Sequence, residues 1–244
     1  MARETVSASS IKINEWMQMP KYLIAIAATL CVVACAPTKA LSPGDKGRIT
    51  EVGVTVATRF EQLTINCKGM GCAGILYGVG GDPGAAAALT NAYGKVGTGA
   101  ADLISEEVMS QLKAHGLKVQ AVERTRFITL PKAPDLLSQT AKFQGNTLLH
   151  LQVWDFGLSR TGSTELQPTV LIRAYLVRRE GSELLYSQAY NFGAEATGLP
   201  VNLGSTDTRF ASVREAQNDP ERLARGLRAA ARAVVRRIVM DVSG

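Results

Sequence analysis

Residues 22 to 36, YLIAIAATLCVVACA, run for fifteen positions without a charge, and this stretch limits everything that can fold after it. A helix needs about 20 apolar residues to cross a bilayer, so the run is short for a permanent span. Lys21 stands directly before it, with Lys12 and Arg3 further upstream. A basic lead, a brief apolar core and a small-residue exit describe an export signal, removed once it has served. A start at Met17 or Met19 gives that signal a more usual length than Met1. No folded body upstream could bury the run as a core helix. The fold must be built from the residues on its C-terminal side.

About 210 residues follow the signal, enough for one sizeable domain or two small ones. The hydrophobic fraction of 46% argues for a packed core over disorder. The net charge is +6. The signal carries Arg3, Lys12 and Lys21 against Glu4 and Glu15, so the remainder keeps about +5, which favours anionic partners. Export makes nucleic acid an unexpected partner, whereas lipid phosphate or an anionic envelope polymer fits the location.

The chain then predicts a series of elements. APTKALSPGDKGR (36 to 48) reads as a tether, with two prolines and two glycines. ITEVGVTVATRFEQLTI (49 to 65) is β-branched and partly alternating, one long strand or two short ones. ADLISEEVMSQLKAHG is a helix: Leu103, Ile104, Val108 and Leu112 recur at helical spacing and Gly116 stands at the C′ position. LKVQAVE (117 to 123) is a strand, and APDLLSQTAKFQG (133 to 145) a second helix. NTLLHLQVWDFGLSR, PTVLIRAYLVRR and SELLYSQAYNFGAE are three strands, the last two joined by a Glu180-Gly181 turn. Residues 199 to 217 read as loop. A long helix closes the chain, with Asn218 or Asp219 as cap and Pro220 in its first turn. This order predicts an α/β (α+β) fold: one mixed sheet over 49–244 with helices on its faces and a long C-terminal helix.

Four features carry the chemistry that the chain offers. Cys67 and Cys72 flank two glycines in an exported chain, where a disulfide is favoured; a zinc site would need more ligands. Residues 69 to 101 hold ten glycines and eight alanines with only Asp82 and Lys95 charged. This insert reads as a surface loop with a short alanine helix, or as a segment that enters a membrane or meets a neighbouring subunit. Its GVGGDPG lacks the full dinucleotide fingerprint and the lysine of a phosphate loop. On the last helix Arg222, Arg225, Arg232 and Arg236 lie roughly opposite the apolar stripe Leu223, Leu227, Ala230, Val234 and Ile238. With few acids interleaved, that arginine face is a candidate anion contact. His115 ends a helix, His150 reads as a core or edge histidine, and Asp155 as a strand end. No nucleophile elbow and no clustered metal ligands stand in the sequence, so neither a cofactor nor catalysis is expected.

Val32 to Cys35, VVAC, resembles the bacterial lipobox at the end of its signal. The resemblance implies that Cys35 becomes the first residue, carries a diacylglycerol and is acylated at its amine. Residues 35–48 would then be a lipidated N-terminus and tether. The absence of aspartate at Ala36 resembles outer-membrane routing, which would leave the domain facing the periplasm. The order of elements over roughly 49 to 240 is similar to lipoproteins of the curli-secretion, Pel-exopolysaccharide and penicillin-binding-protein-activator type. That likeness implies a non-enzymatic accessory component of an envelope assembly, with protein partners and a homo-oligomer as one arrangement. The runner-up is a module that binds an anionic ligand or lipid through the arginine face.

Overall fold

The fourteen residues of β4 (Thr147–Arg160) organise the sheet, because strands join them on both sides along their whole length. In the computed structural model, residues 38–67, 83–160, 165–193 and 200–243 are described. β1 (Glu51–Thr58) runs parallel to the first half of β4, with Gly53 opposite Leu148 and Thr58 opposite Val153. β2 (Thr64–Cys67) runs parallel to the second half, from Gly157 to Arg160. The stretch predicted as one long strand or two short ones is two strands, separated by residues 59–63, and both pair with the same neighbour. A Cβ on Gly157 would lie 2.0 Å from the backbone oxygen of Thr64, so only glycine lets β2 approach there.

β3 (Lys118–Ala121) adds parallel to the outer side of β1, while β5 (Gln167–Arg178) and β6 (Glu183–Phe192) add antiparallel beyond β4. A short β7 (Val201–Asn202) lies parallel to the end of β6. The result is a seven-stranded mixed sheet ordered β3-β1-β4-β5-β6-β7, with β2 beside β1 on β4. The hairpin between β5 and β6 turns through Gly181 at φ +72°, as the Glu180-Gly181 pair predicts.

One face of the sheet carries the main core. Val52, Val54, Val56, Leu149, Leu151, Ile172, Ala174 and Leu176 are buried there, together with the apolar side of the helices. α3 (Ala100–Ala114) contributes Leu103, Ile104, Val108 and Leu112. α6 (Pro220–Ser243) contributes Leu223, Leu227, Ala230, Val234 and Ile238, the predicted stripe, each fully enclosed. Asp219 caps α6 by accepting from the Arg222 amide at 3.1 Å. Two shorter helices flank these, α2 (Pro83–Gly94) and α5 (Val213–Asn218). The second half of the predicted insert is accordingly packed, since Leu89 and Tyr93 of α2 belong to the core. Residues 68–82 of that insert lie outside the described residues.

The opposite face is covered differently. A short α4 (Ala133–Ser138) and Phe143 close over Leu148, Tyr175 and Val177. The segment predicted as helix to 145 stops at Ser138, because Thr140 and Phe143 turn inward and Phe143 fills the space that Gly53 leaves on β1. An irregular strap, residues 122–132, crosses the same face between β3 and α4.

Residues 39–48, predicted as tether, are packed onto the domain. Lys39 makes a two-bond antiparallel bridge with Ser187 of β6, at 2.8 and 2.9 Å. Leu41 and Ile49 join the main core. Between them α1 (Pro43–Lys46) starts at Ser42, whose hydroxyl accepts from the Asp45 amide at 3.1 Å. The Ser42 hydroxyl and the Arg178 guanidinium hold the Asp45 carboxyl below its ordinary range. Arg178 also reaches Glu183 at 2.8 Å, and Lys39 reaches the same carboxylate at 3.6 Å. Arg178 is therefore the clamp of this segment. Arg178→Ala is expected to lower global stability only slightly, since solvent screens the pair. Locally it should speed amide exchange at Lys39 and Ser187 at least about tenfold, read by hydrogen-exchange mass spectrometry.

Candidate interaction surfaces

The four arginines singled out from the sequence do lie along one side of α6, yet they do not act alone. Arg222 pairs with Glu215 of α5, approaches Asp219 at 3.6 Å and stacks 4.3 Å from the Phe210 ring. That contact, followed by the Ala211 amide, holds the Glu215 carboxyl below its usual range. Arg225 meets Glu221 at 3.8 Å, and Arg232 meets Glu107 of α3 at 3.1 Å. Only Arg236 of the four has no ion pair among the described residues. The expectation of uncompensated charge is corrected: Glu215, Asp219 and Glu221, close by in sequence, and Glu107 of α3, far away in it, stand against three of the four arginines. A groove of about 260 Å³ separates α3 and α6, with Glu106 and Glu107 facing Arg228 and Arg232. Such a surface is mixed in sign.

A second surface gathers around a kink in β4. The pairing of β4 with β5 slips between Val153 and Asp155, so Trp154 is the extra residue of a bulge. Arg59 stacks on it at 5.4 Å and on Phe60 at 5.0 Å, while Phe127 of the strap meets the indole edge-on at 5.0 Å. The indole Nε1 is buried without a partner among the described residues. Asp155, read from sequence as a strand end, sits inside β4 instead. Its carboxylate accepts from the Thr64 hydroxyl and the Asn66 amide of β2, which ties the two strands together. That carboxylate is occupied in structural bonds. The adjoining cleft, lined by Leu63, Tyr93, Trp154 and Phe156, measures about 120 Å³. Small-molecule sites usually run from about 300 Å³ upward, so this cleft suits a single apolar side chain. Burial pushes the Tyr93 phenol up to about 12, and its hydroxyl donates to the Thr98 carbonyl at 2.6 Å.

Under the strap lies a polar strip. His150 and Gln152 of β4 stand opposite Tyr175 and Arg173 of β5. Thr55 donates to the Glu123 carbonyl at 2.8 Å, Thr125 meets His150 Nδ1 at 3.2 Å, and Gln152 donates to the Ile128 carbonyl at 2.7 Å. The strap is held down by side chains from the strands beneath it. His150 Nε2 and Gln152 Oε1 are buried without partners among the described residues. Burial pushes His150 down to about 4, so it is neutral at pH 7 and cannot serve as a titrating base there. His115 is the exposed C-cap of α3, as its position predicts.

Cys35 and Cys72 lie outside the described residues, and of Cys67 only the backbone, at the end of β2, is described. Among the described residues no helix is long and apolar enough to cross a membrane, and no three metal-ligating side chains converge. The clamp of Lys39, Asp45 and Arg178 and the Arg59–Trp154 stack have no signature in the sequence. Their members are spread over more than ninety positions, and no short motif joins them.

No family model and no curated protein matches this sequence. Among solved structures, a Xanthomonas campestris protein of the DUF330 family aligns with 78% of this chain and 81% of its own, at 13% identity and a TM-score of 0.42. PelC from Paraburkholderia phytofirmans, a dodecamer, aligns over 86% and 96% at 12% identity and a TM-score of 0.37. The lipoprotein GNA1162 from Neisseria meningitidis aligns over 61% and 87% at 14% identity and a TM-score of 0.26. At such distances the functional reading rests on this chain's own residues.

Proposed function

We propose that this chain is a lipid-anchored accessory component of a bacterial envelope assembly, held at the outer membrane, facing the periplasm and working through protein contacts. The observation that carries the reading is the junction at residues 32 to 39. A lipobox-like VVAC is followed, only four residues after its cysteine, by the first paired residue of a folded domain. Two or more acyl chains on Cys35 would give stable anchoring, since each buried methylene contributes about 0.8 kcal/mol. The domain offers a paired-charge groove, an arginine–aromatic stack and a side-chain-sized cleft. These are features that grip another protein's side chains rather than turn over a substrate.

Intact mass of the N-terminal peptide, taken from the membrane fraction of the native host, tests the anchor. The expected peptide begins at Cys35 and carries the mass of a diacylglycerol and a further acyl chain. A peptide beginning upstream, or one without lipid mass, overturns the proposal. In the same digest, run without reductant, the Cys67 and Cys72 peptides should be joined. The size of the detergent-extracted protein then separates a monomer from a homo-oligomer.

A further inference from the structure

We infer that the domain stands on the lipid surface by the β6 edge of its sheet, held so by a leash shorter than its own radius, with the β3 edge turned away from the bilayer. The inference rests on the lipid anchor proposed for Cys35 and adds an orientation to it.

The leash is measured from Cys35 to the first point where the chain is fixed. That point is Lys39, whose backbone exchanges two hydrogen bonds with Ser187 and whose ammonium reaches the Leu184 carbonyl at 2.5 Å. From there to Ile49 the segment is pinned by the buried Leu41 and Ile49 and by the cap and ion pair between them, with no slack to release. Four residues span about 14 Å at full extension. The unit Pro37–Gly244 has about 200 residues, and a folded body of that size has a radius of gyration near 17 Å and an outer radius beyond it. A body on a leash shorter than its radius cannot turn its far side to the surface. Had residues 36 to 48 all been free, the reach would have been about 45 Å and the domain could tumble.

The sheet supplies the direction. Lys39 lies outside the middle of β6, against Ser187, and β7 lies outside its C-terminal end, against Tyr190 and Asn191. Across the sheet from Lys39 come β6, β5, β4, β1 and β3 in turn. At about 4.8 Å per strand, β3 runs about 24 Å further from the attachment point. The edge nearest the lipid is thus covered by Lys39 and β7. The outer side of β3, with Lys118, Gln120 and Ala121 exposed, pairs with no strand among the described residues. The sheet edge left open is the one that faces the periplasm.

The test uses the native lipidated protein in nanodiscs that contain a lipid with a nitroxide quencher on its headgroup. In a Cys67→Ser, Cys72→Ser background, a fluorophore is placed at Gly44→Cys or at Lys118→Cys. A Cβ at Gly44 meets nothing within 4 Å, and Lys118 is exposed. Quenching at position 44 should exceed that at position 118 at least about threefold. Insertion of twelve Gly/Ser residues after Ala36 should bring the two within a factor of about 1.5. Equal quenching in the parent, or a difference that survives the insertion, overturns the orientation while the anchor stands. A parent protein that carries no lipid mass overturns both.

Discussion

Asp241→Ala is expected to lower the stability of the domain by about 3 kcal/mol. The residue sits in the last turn of α6, where a negative charge opposes the helix dipole. Its partners explain why it is held there. Tyr186 and Tyr190 of β6 bond to each other through their hydroxyls, Tyr190 donates to the Asp241 carboxylate, and Tyr186 approaches it at 3.3 Å. Arg237 closes the other side at 3.1 Å. Burial, and then the Asp241 charge, pushes the Tyr186 phenol far up, so its hydroxyl stays a protonated donor that needs an acceptor. Removing the carboxylate strands at least one buried donor, worth about 1–3 kcal/mol, and loses the tie between α6 and β6. In a domain of this size about 3 kcal/mol corresponds to a fall in Tm of about 9 °C. Asp241→Asn keeps an acceptor and should recover more than half. Arg237→Ala, whose side chain is 46% exposed, should cost under about 0.5 kcal/mol. Thermal and urea unfolding of the three variants checks the order, and equal Tm values for the Ala and Asn forms would remove the clamp.

How much of this is legible in the sequence depends on where each element's reasons lie. β4, β5, β6 and α6 are readable because their burial is written in their own periodicity, such as Val170, Ile172, Ala174 and Leu176 against the helix stripe from Leu223 to Ile238. α5 is written too, although the segment reads as loop. Ser212 and Glu215 form the S-x-x-E signature, with the Ser212 hydroxyl accepting from the Glu215 amide at 3.2 Å. A stretch rich in Gly, Ser and Thr hides it. Other features have no local trace. APDLLSQTAKFQG has a helical pattern throughout, but Phe143 is drawn down by a glycine ninety positions earlier in the chain. The arginine face reads as unpaired because Glu107 stands 125 residues from Arg232. Lys39 reads as tether because its partner Ser187 is chosen by sheet topology, which composition does not encode. The candidate anchor cysteine is visible in the sequence, and the length of its leash is not.

Acidification should unfold this domain earlier than its carboxylates alone would, because His150 must take up a proton that its surroundings refuse. The residue is fully enclosed on β4, with Nδ1 against Thr125 and Tyr175 opposite. Burial pushes it down to about 4, whereas in the unfolded chain it titrates near 6.5. Between those two values the unfolded chain binds the proton and the folded chain does not. Stability from this group is therefore whole above pH 6.5, falls through the interval, and has lost its full share below pH 4. The interval is about 2.5 pH units, and at about 1.4 kcal/mol each the full loss is between about 3 and 4 kcal/mol, with about 2 kcal/mol of it gone by pH 5. His150→Phe removes the titration while keeping an aromatic ring beside Tyr175, so its urea midpoint should change less between pH 7 and pH 5 than the parent's. The sign follows from desolvation alone: no acid among the described residues is paired with the imidazole to favour the cation. The strap should feel the proton first, since Thr125 holds it to the same ring. Below pH 5, amide exchange across residues 122–132 should rise before that of β5, and a strap that stays protected until global unfolding would show that His150 is not its fastening.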